Sequence, residues 1–228
     1  QKLLYDDYLG LNPAKVVDLR GWIVSKGIFK QLEVNCKPIL TELYLQDTIG
    51  FQPKMLEYIR GSPKLKIINL YNTNITITFQ AAQILGSLTR LIDLNISECT
   101  VDITSFSIIC NTCNNLRTLT CQACPGLDDF CLQALGSCMQ RFRKLNSIDL
   151  SRGIDYSDEG YLTVLNATPK LLTKLNMSNT KILSSLTVTA LRTKMPNLIY
   201  LDLSEMKLSQ TCFEWITEGC NRLETLIL

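Results

Sequence analysis

Four cysteines carry the most suggestive spacing in the chain. Cys110 and Cys113, then Cys121 and Cys124, read as two C-x-x-C pairs separated by seven residues. Four thiolates so spaced can surround a zinc ion. The chain holds ten cysteines and no histidine among its 228 residues. Lack of histidine removes the commonest general base and a frequent zinc ligand. Neither the phosphate-binding G-x-x-x-x-G-K-[ST] nor the nucleophile elbow G-x-S-x-G occurs. Carboxylate pairs such as Asp128-Asp129 fall where helices are expected to start, and capping accounts for them. No catalytic constellation emerges. The expectation is a chain that is not an enzyme and needs no cofactor. Whether the cysteines hold a metal depends on the elements that position them.

A repeat governs those elements. The phrase L-x-x-L-x-L recurs as Leu40-Leu43-Leu45, Leu65-Ile68-Leu70, Leu91-Leu94-Ile96 and Leu116-Leu119-Cys121. It continues as Leu145-Ile148-Leu150, Leu172-Leu175-Met177, Leu198-Leu201-Leu203 and Leu223-Leu226-Leu228, and a degenerate first copy fits Ala14-Val17-Leu19. Successive copies lie 26, 25, 26, 25, 29, 27, 26 and 25 residues apart. Such a period means one supersecondary unit per repeat. The middle of each phrase is expected to be a short strand with alternate residues inward and outward. Parallel pairing of successive strands needs a crossover. Helical patterns fill the gaps at Phe79-Ala82-Ile84-Leu85, Phe106-Ile109-Cys110, Leu132-Leu135 and Phe213-Ile216. Ser25, Thr78, Ser157 or Asp158, and Ser209 are the expected helix caps.

Repeats of this length, with Cys or Thr three residues past the phrase, resemble the cysteine-containing leucine-rich repeats. That column reads Trp22, Thr48, Thr73, Cys99, Cys124, Gly153, Thr180, Met206. A C-x-x-L step precedes the strand at Cys113-Asn114-Asn115-Leu116 and Cys220-Asn221-Arg222-Leu223. A hydrophobe-x-Asp-x-Gly turn enters a helix at Tyr156-Ser157-Asp158-Glu159-Gly160. The resemblance covers nearly the whole chain. It implies an α/β leucine-rich-repeat solenoid, a horseshoe with a parallel concave sheet and outer helices, in about eight or nine repeats of 25–29 residues. Residues 1–13 are expected to form a cap or linker and residues 14–228 the repeat domain.

The register also places the cysteines. Cys113 aligns with Cys138, Cys220 and Ser62, and Cys110 aligns with Leu135 at an inward helix position. Cys121 aligns with Leu45, Leu70 and Leu150, and Cys124 with Cys99 and Thr73. The two C-x-x-C pairs are then periodic core positions that happen to fall close together, and no metal is expected. Cys99 and Cys124 sit on neighbouring strands, yet the other cysteines have register roles without partners. Free thiols in an intracellular, reducing compartment follow. Four N-x-[ST] sequons, including Asn95-Ile96-Ser97 and Asn176-Met177-Ser178, lie largely on strands, which are poor glycan acceptors.

Net charge is only +2, but it is ordered. Lys64, Lys66, Arg90, Arg117, Arg141, Arg143, Lys144 and Lys170 fall on the helix-to-strand edge, together with Lys37, Lys194 and Arg222. Acidic residues gather on the opposite edge. The helix macrodipole explains both, or the basic edge docks an acidic partner. Arg141, Arg143 and Lys144 mark its sharpest point, in the one 29-residue repeat. The concave face is expected to present Tyr44, Asn69, Tyr71, Asp93, Asn95, Glu98 and Gln122, then Asp149, Arg152, Asn176, Tyr200, Asp202 and Glu205. Tyrosine suits an interface anchor. The polar residues also serve simply to keep the strands solvated. An acidic face argues against a nucleic-acid ligand.

A protein-binding scaffold is therefore expected. The resemblance points to the substrate-recognition part of an F-box-type ubiquitin-ligase receptor. The alternative is a structural subunit of a large permanent assembly, ciliary or mitochondrial. No apolar run is long enough to span a membrane. The final phrase, Leu223-Leu226-Leu228, has no helix after it, so further repeats or another subunit are expected to cover that end.

Overall fold

A three-residue strand with an apolar centre buries one side chain and turns its two flanks away from the core. It is stable only when a neighbour of the same register lies on each side. The computed structural model describes residues 12–168, 170–180, 184–206 and 208–228. The expected cap at residues 1–13 falls almost wholly outside them.

Among the described residues, nine strands form one parallel sheet. They are β1 (Val16–Asp18), β2 (Glu42–Tyr44), β3 (Ile67–Asn69), β5 (Asp93–Asn95), β7 (Thr118–Thr120), β8 (Ser147–Asp149), β9 (Lys174–Asn176), β10 (Tyr200–Asp202) and β11 (Thr225–Ile227), in that spatial order. The pairing keeps one register throughout: Val17, Leu43, Ile68, Leu94, Leu119, Ile148, Leu175, Leu201 and Leu226 stand in a row. All but Leu226 are buried, and the flanking residues are mostly half-exposed. The strand phrases and the first, degenerate copy are thus where the period puts them.

The crossovers are α1 (Lys26–Gln31), extended by a π turn at Leu32–Cys36, then a 3-10 helix at Pro53–Ile59. Regular helices follow: α2 (Phe79–Gly86), α3 (Ile103–Thr112), α4 (Asp129–Cys138), α5 (Asp158–Ala167), α6 (Ser185–Lys194) and α7 (Gln210–Gly219). Strands pack about 4.8 Å apart and helices about 8–10 Å apart. The sheet therefore lies on the inside of the curve, as in a leucine-rich-repeat solenoid. Two short strands on the rim, β4 (Thr76–Ile77) and β6 (Thr100–Val101), pair with each other, a second ladder the period alone does not reveal.

After each strand the chain must turn sharply outward. The third residue past the strand does this in a left-handed conformation, from Gly21 (φ 70°) through Asp47, Asn72, Glu98, Ala123, Arg152, Asn179 and Glu205 (φ 49–60°). A non-glycine residue there costs on the order of 1 kcal/mol. Each of these N–H groups from Gly21 to Asn179 donates to the next repeat, as in Arg152 N–H to Ser178 O at 2.8 Å and Asn179 N–H to Ser204 O at 2.8 Å. One such bond contributes about 1 kcal/mol. Three buried apolar side chains per repeat add about 1.5–3 kcal/mol each, so the turn is tolerated wherever the repeat is packed.

The caps form a chain of their own. Thr78, Asp102, Asp128, Ser157, Ser184 and Ser209 each accept a backbone N–H from the first turn of their helix. Ser25 precedes α1 but makes no capping bond with its side chain. Asp158 is not a cap: its carboxylate accepts Ser184 N–H at 2.9 Å and the hydroxyls of Ser184 and Thr187 from the following repeat. Asp129 does the same for Ser157, accepting its N–H at 2.7 Å. Burial raises the Asp158 carboxyl, but the hydrogen bonds from Ser184 and Thr187 outweigh it and hold the group below its usual range. Phe79 and Phe213, the first residues of two of the helical patterns, are exposed, because the buried stripes run through Ala81, Ala82 and Leu85 in α2 and through Cys212 and Ile216 in α7.

Gly160 lies where α5 meets α4. A methyl there would overlap Asp129 Oδ1 and Leu132 Cδ1. Gly160→Ala is expected to lower stability by about 1–3 kcal/mol. Urea unfolding followed by circular dichroism measures it, and an unchanged midpoint would contradict the packing.

Candidate functional site

All ten cysteines are buried and free. Cys110, Cys121 and Leu135 are fully buried core positions, as the register predicts. Among the described residues no group of three or more Cys, Asp or Glu side chains converges as metal ligands would. In the ladder column, Thr48 and Thr73 donate to the carbonyls of Leu45 and Leu70 in their own repeats, each at 2.8 Å. Cys99 and Cys124 instead reach back one repeat, to Leu70 O at 3.4 Å and Ile96 O at 3.1 Å. Gly153 occupies the column where the Tyr156 ring fills the space a side chain would take. Burial pushes Cys99, Cys113 and Cys131 up from 9.0 to about 11, and raises Cys110 and Cys121 well above the usual thiol range too. Thiols held neutral in this way are poor nucleophiles.

The sign of the pH effect follows. Above pH 9.0 the unfolded chain releases these protons while the folded chain keeps them to about pH 11. Stability is therefore full below pH 9 and falls between 9 and 11, by about 1.4 kcal/mol per pH unit for each such thiol. Urea midpoints at pH 8 and pH 10.5 test this; equal midpoints would refute it. At pH 8 a thiol reagent should find few reactive groups in the native protein and ten in denaturant.

The concave face divides into columns. Asp93 and Tyr200 open their strands, while Tyr44, Asn69, Asn95, Asp149, Asn176 and Asp202 close theirs. In this closing column the side-chain oxygens of Asn69, Asn95, Asp149, Asn176 and Asp202 each accept the N–H two residues on, at 2.9–3.0 Å. They tie down the strand end before the left-handed turn, which is a physical reason for L-D-L-S beyond solubility. Asp202 is buried, and so are Ser97 and Ser151 beneath the turn. Glu98, Arg152 and Glu205 stand in the turn itself, on the rim rather than on the sheet. Tyr71 and Gln122 lie between sheet and rim.

Two side-chain groups remain exposed to a partner. The first is built around Tyr44, whose hydroxyl donates to Glu42 at 2.8 Å and whose ring lies 5.6 Å from the Arg20 guanidinium. The hydrogen bond to Glu42 is the main reason the phenol is raised. Arg20 in turn forks onto Asp18 and holds that carboxyl low. Asp18 and Arg20 were missed by the sequence reading, although Asp18-Leu19-Arg20 aligns with Asp149-Leu150-Ser151. The second group joins Tyr71 to Glu98 at 3.2 Å, with Arg152 3.9 Å from the same carboxylate. The Glu98 charge raises the Tyr71 phenol. Asp93 opens the strand after the Tyr71 repeat, flanked in register by Ile67 and Thr118. Burial raises its carboxyl, and no hydrogen bond or ion pair engages it among the described residues. Further along, Asp149, Lys174, Asn176 and Tyr200 line a shallow cleft of about 220 Å³.

The macrodipole reading fits Lys194, in the last turn of α6, but not most of the basic edge. Lys64, Lys66, Arg90, Arg117, Arg143, Lys144 and Lys170 are exposed, and none lies in the last turn of a helix. The macrodipole acts within that turn, so it does not account for them. The extra length of the 29-residue repeat is no free loop: a 3-10 turn, Met139–Arg141, buries Met139 and Phe142 and turns Arg141 and Arg143 outward.

Fold and surface together describe a leucine-rich-repeat solenoid with a tyrosine- and carboxylate-bearing inner sheet. No family model matches the chain, and no curated protein matches it. Solved structures do match, among them "Leiomodin-1 Actin-Binding Site 2 (ABS2)", at 15% identity and a TM-score of 0.48, over 73% of this chain and 86% of that one.

Proposed function

We propose that this chain is a non-catalytic protein-interaction scaffold of the cysteine-containing leucine-rich-repeat kind, holding a protein partner on its concave sheet. One observation carries the reading: Tyr44, Tyr71 and Asp93 belong to three successive repeats of the parallel sheet, and Asp93 is partly desolvated with no ion pair among the described residues. Aromatic area beside an unpaired carboxylate suits a partner segment bearing Lys or Arg. The buried, neutral thiols and the shallow inner cleft favour holding over chemistry. The resemblance of the repeats suggests a finer role, substrate recognition in an F-box-type ubiquitin-ligase receptor.

The double variant Tyr44→Ala/Tyr71→Ala should weaken binding of the physiological partner by about 2 kcal/mol or more, with an unchanged urea midpoint. Affinity purification from cells, followed by identification of stoichiometric partners, supplies that partner. Recovery of the ligase's adaptor and cullin supports the receptor role. Recovery of a fixed axonemal or mitochondrial assembly without them favours a structural subunit. Full affinity in the double variant would remove the concave face from the proposal.

A further inference from the structure

We infer that the helix-to-strand edge is a second, separate docking site, one that receives an extended acidic protein segment. The six cations Lys64, Lys66, Arg90, Arg117, Arg143 and Lys144 lie along it on four successive repeats, all exposed. Five cations of the described residues form ion pairs, Arg20 with Asp18, Lys37 with Glu33, Arg60 with Glu57, Arg152 with Glu98 and Arg192 with Glu218, whereas Lys15, Lys26, Lys30, Lys54 and Lys174 are exposed without one. Among the described residues no ion pair engages any of the six. Helix polarity does not explain them, because they lie in the loops beyond the helix ends. A row of like charges without compensation repels itself, and an anionic partner relieves that repulsion.

The centre of the row is shaped as well as charged. Arg141, Arg143, Asn114, Asn115 and Gln140 line a cleft of about 400 Å³. Arg141 is oriented by Asn111 of α3, whose Oδ1 accepts its guanidinium N–H at 2.7 Å. Asn115 Nδ2 donates to Thr89 O at 2.8 Å, and Gln140 Nε2 donates to Ala167 O at 3.0 Å. These bonds to carbonyls of neighbouring repeats fix both amides, leaving Asn115 Oδ1 and Gln140 Oε1 as acceptors. An acceptor beside an arginine fits a polypeptide, which brings backbone N–H groups along with its carboxylates. A phosphate backbone brings no such donors, and the carboxylates of Glu42, Asp93 and Asp149 around the corner repel a bulky polyanion. From β3 to β8 the strand spacing of about 4.8 Å gives roughly 14 Å, the length of about four or five extended residues.

The test uses the whole chain and a fluorescein-labelled octapeptide alternating Asp and Thr. Arms with an octathymidylate and with vesicles of four parts phosphatidylcholine to one part phosphatidylserine distinguish other polyanions. The peptide should bind, weaken as salt rises from 50 to 200 mM, and lose at least tenfold in affinity in Arg141→Glu/Arg143→Glu/Lys144→Glu. The neutral set Arg141→Gln/Arg143→Gln/Lys144→Gln should lose severalfold, and it stands in if the reversal set fails to fold. Asn115→Asp should also weaken the peptide. Tyr44→Ala/Tyr71→Ala should leave peptide binding intact, so the edge and the concave face succeed or fail separately. Absence of peptide binding, an unaltered affinity in the charge variants, or equal binding of the oligonucleotide or vesicles would each overturn the proposal.

Discussion

Backbone hydrogen bonds from one repeat to the next hold the molecule, since each strand of three residues has no ladder except with its neighbours. The bonds do not stop at the strand ends. They continue through Tyr71 O, Ser97 O and Gln122 O to the left-handed residues Asp47, Asn72 and Glu98, and likewise down the remaining repeats. That continuation is what allows residues as unsuited to positive φ as Glu98 and Arg152 to occupy the turn. It also commits the side chains around it. The Asx oxygens hold the strand ends and the ladder thiols and hydroxyls hold the carbonyls beneath. What the backbone does not engage on the inner face is a short roster headed by the side chains of Tyr44, Tyr71 and Asp93.

The two rims show how differently the same charge pattern can be used. On the strand-to-helix side the acids are consumed by structure: Asp102 and Asp128 cap helices, and Asp129 and Asp158 bind the hydroxyl caps of the following repeat. On the opposite side Lys37 pairs with Glu33 and Arg141 with the Asn111 amide, but the other bases have no ion pair among the described residues. A helix of ten residues ends before Lys144 or Lys170 begins, and among the described residues no carboxylate comes to meet them. One rim is therefore part of the fold, while the other is surface left over once the fold is complete.

The thiols belong to the first category. A cysteine at a ladder position donates weakly to the preceding repeat's carbonyl, where threonine bonds within its own repeat. Removing such a group from water keeps it protonated, and this links the stability of the repeat stack to alkaline pH.

Much was determined by the sequence alone. A period of 25–29 residues in L-x-x-L-x-L locates every strand of the main sheet, because the side-chain alternation of a strand leaves one register with a buried leucine row. The same register separates the Cys110–Cys124 cluster into core positions, because each cysteine replaces a leucine, serine or threonine of other repeats. The tertiary structure decided what spacing cannot encode. Asp149 and Asn176 point along the sheet in sequence, but only the folded turn brings a backbone N–H onto each oxygen. Phe79 matches a helical period yet lies off the buried stripe, because the helix's rotation is set by Ala81, Ala82 and Leu85 packing on neighbouring repeats. Asp158 lies 26 residues before Ser184, and its carboxylate becomes that residue's partner only when the repeats stack. Likewise the isolation of the basic edge depends on where helices end and which carboxylates are already taken. Those are contacts between repeats, and a pattern within one repeat does not contain them.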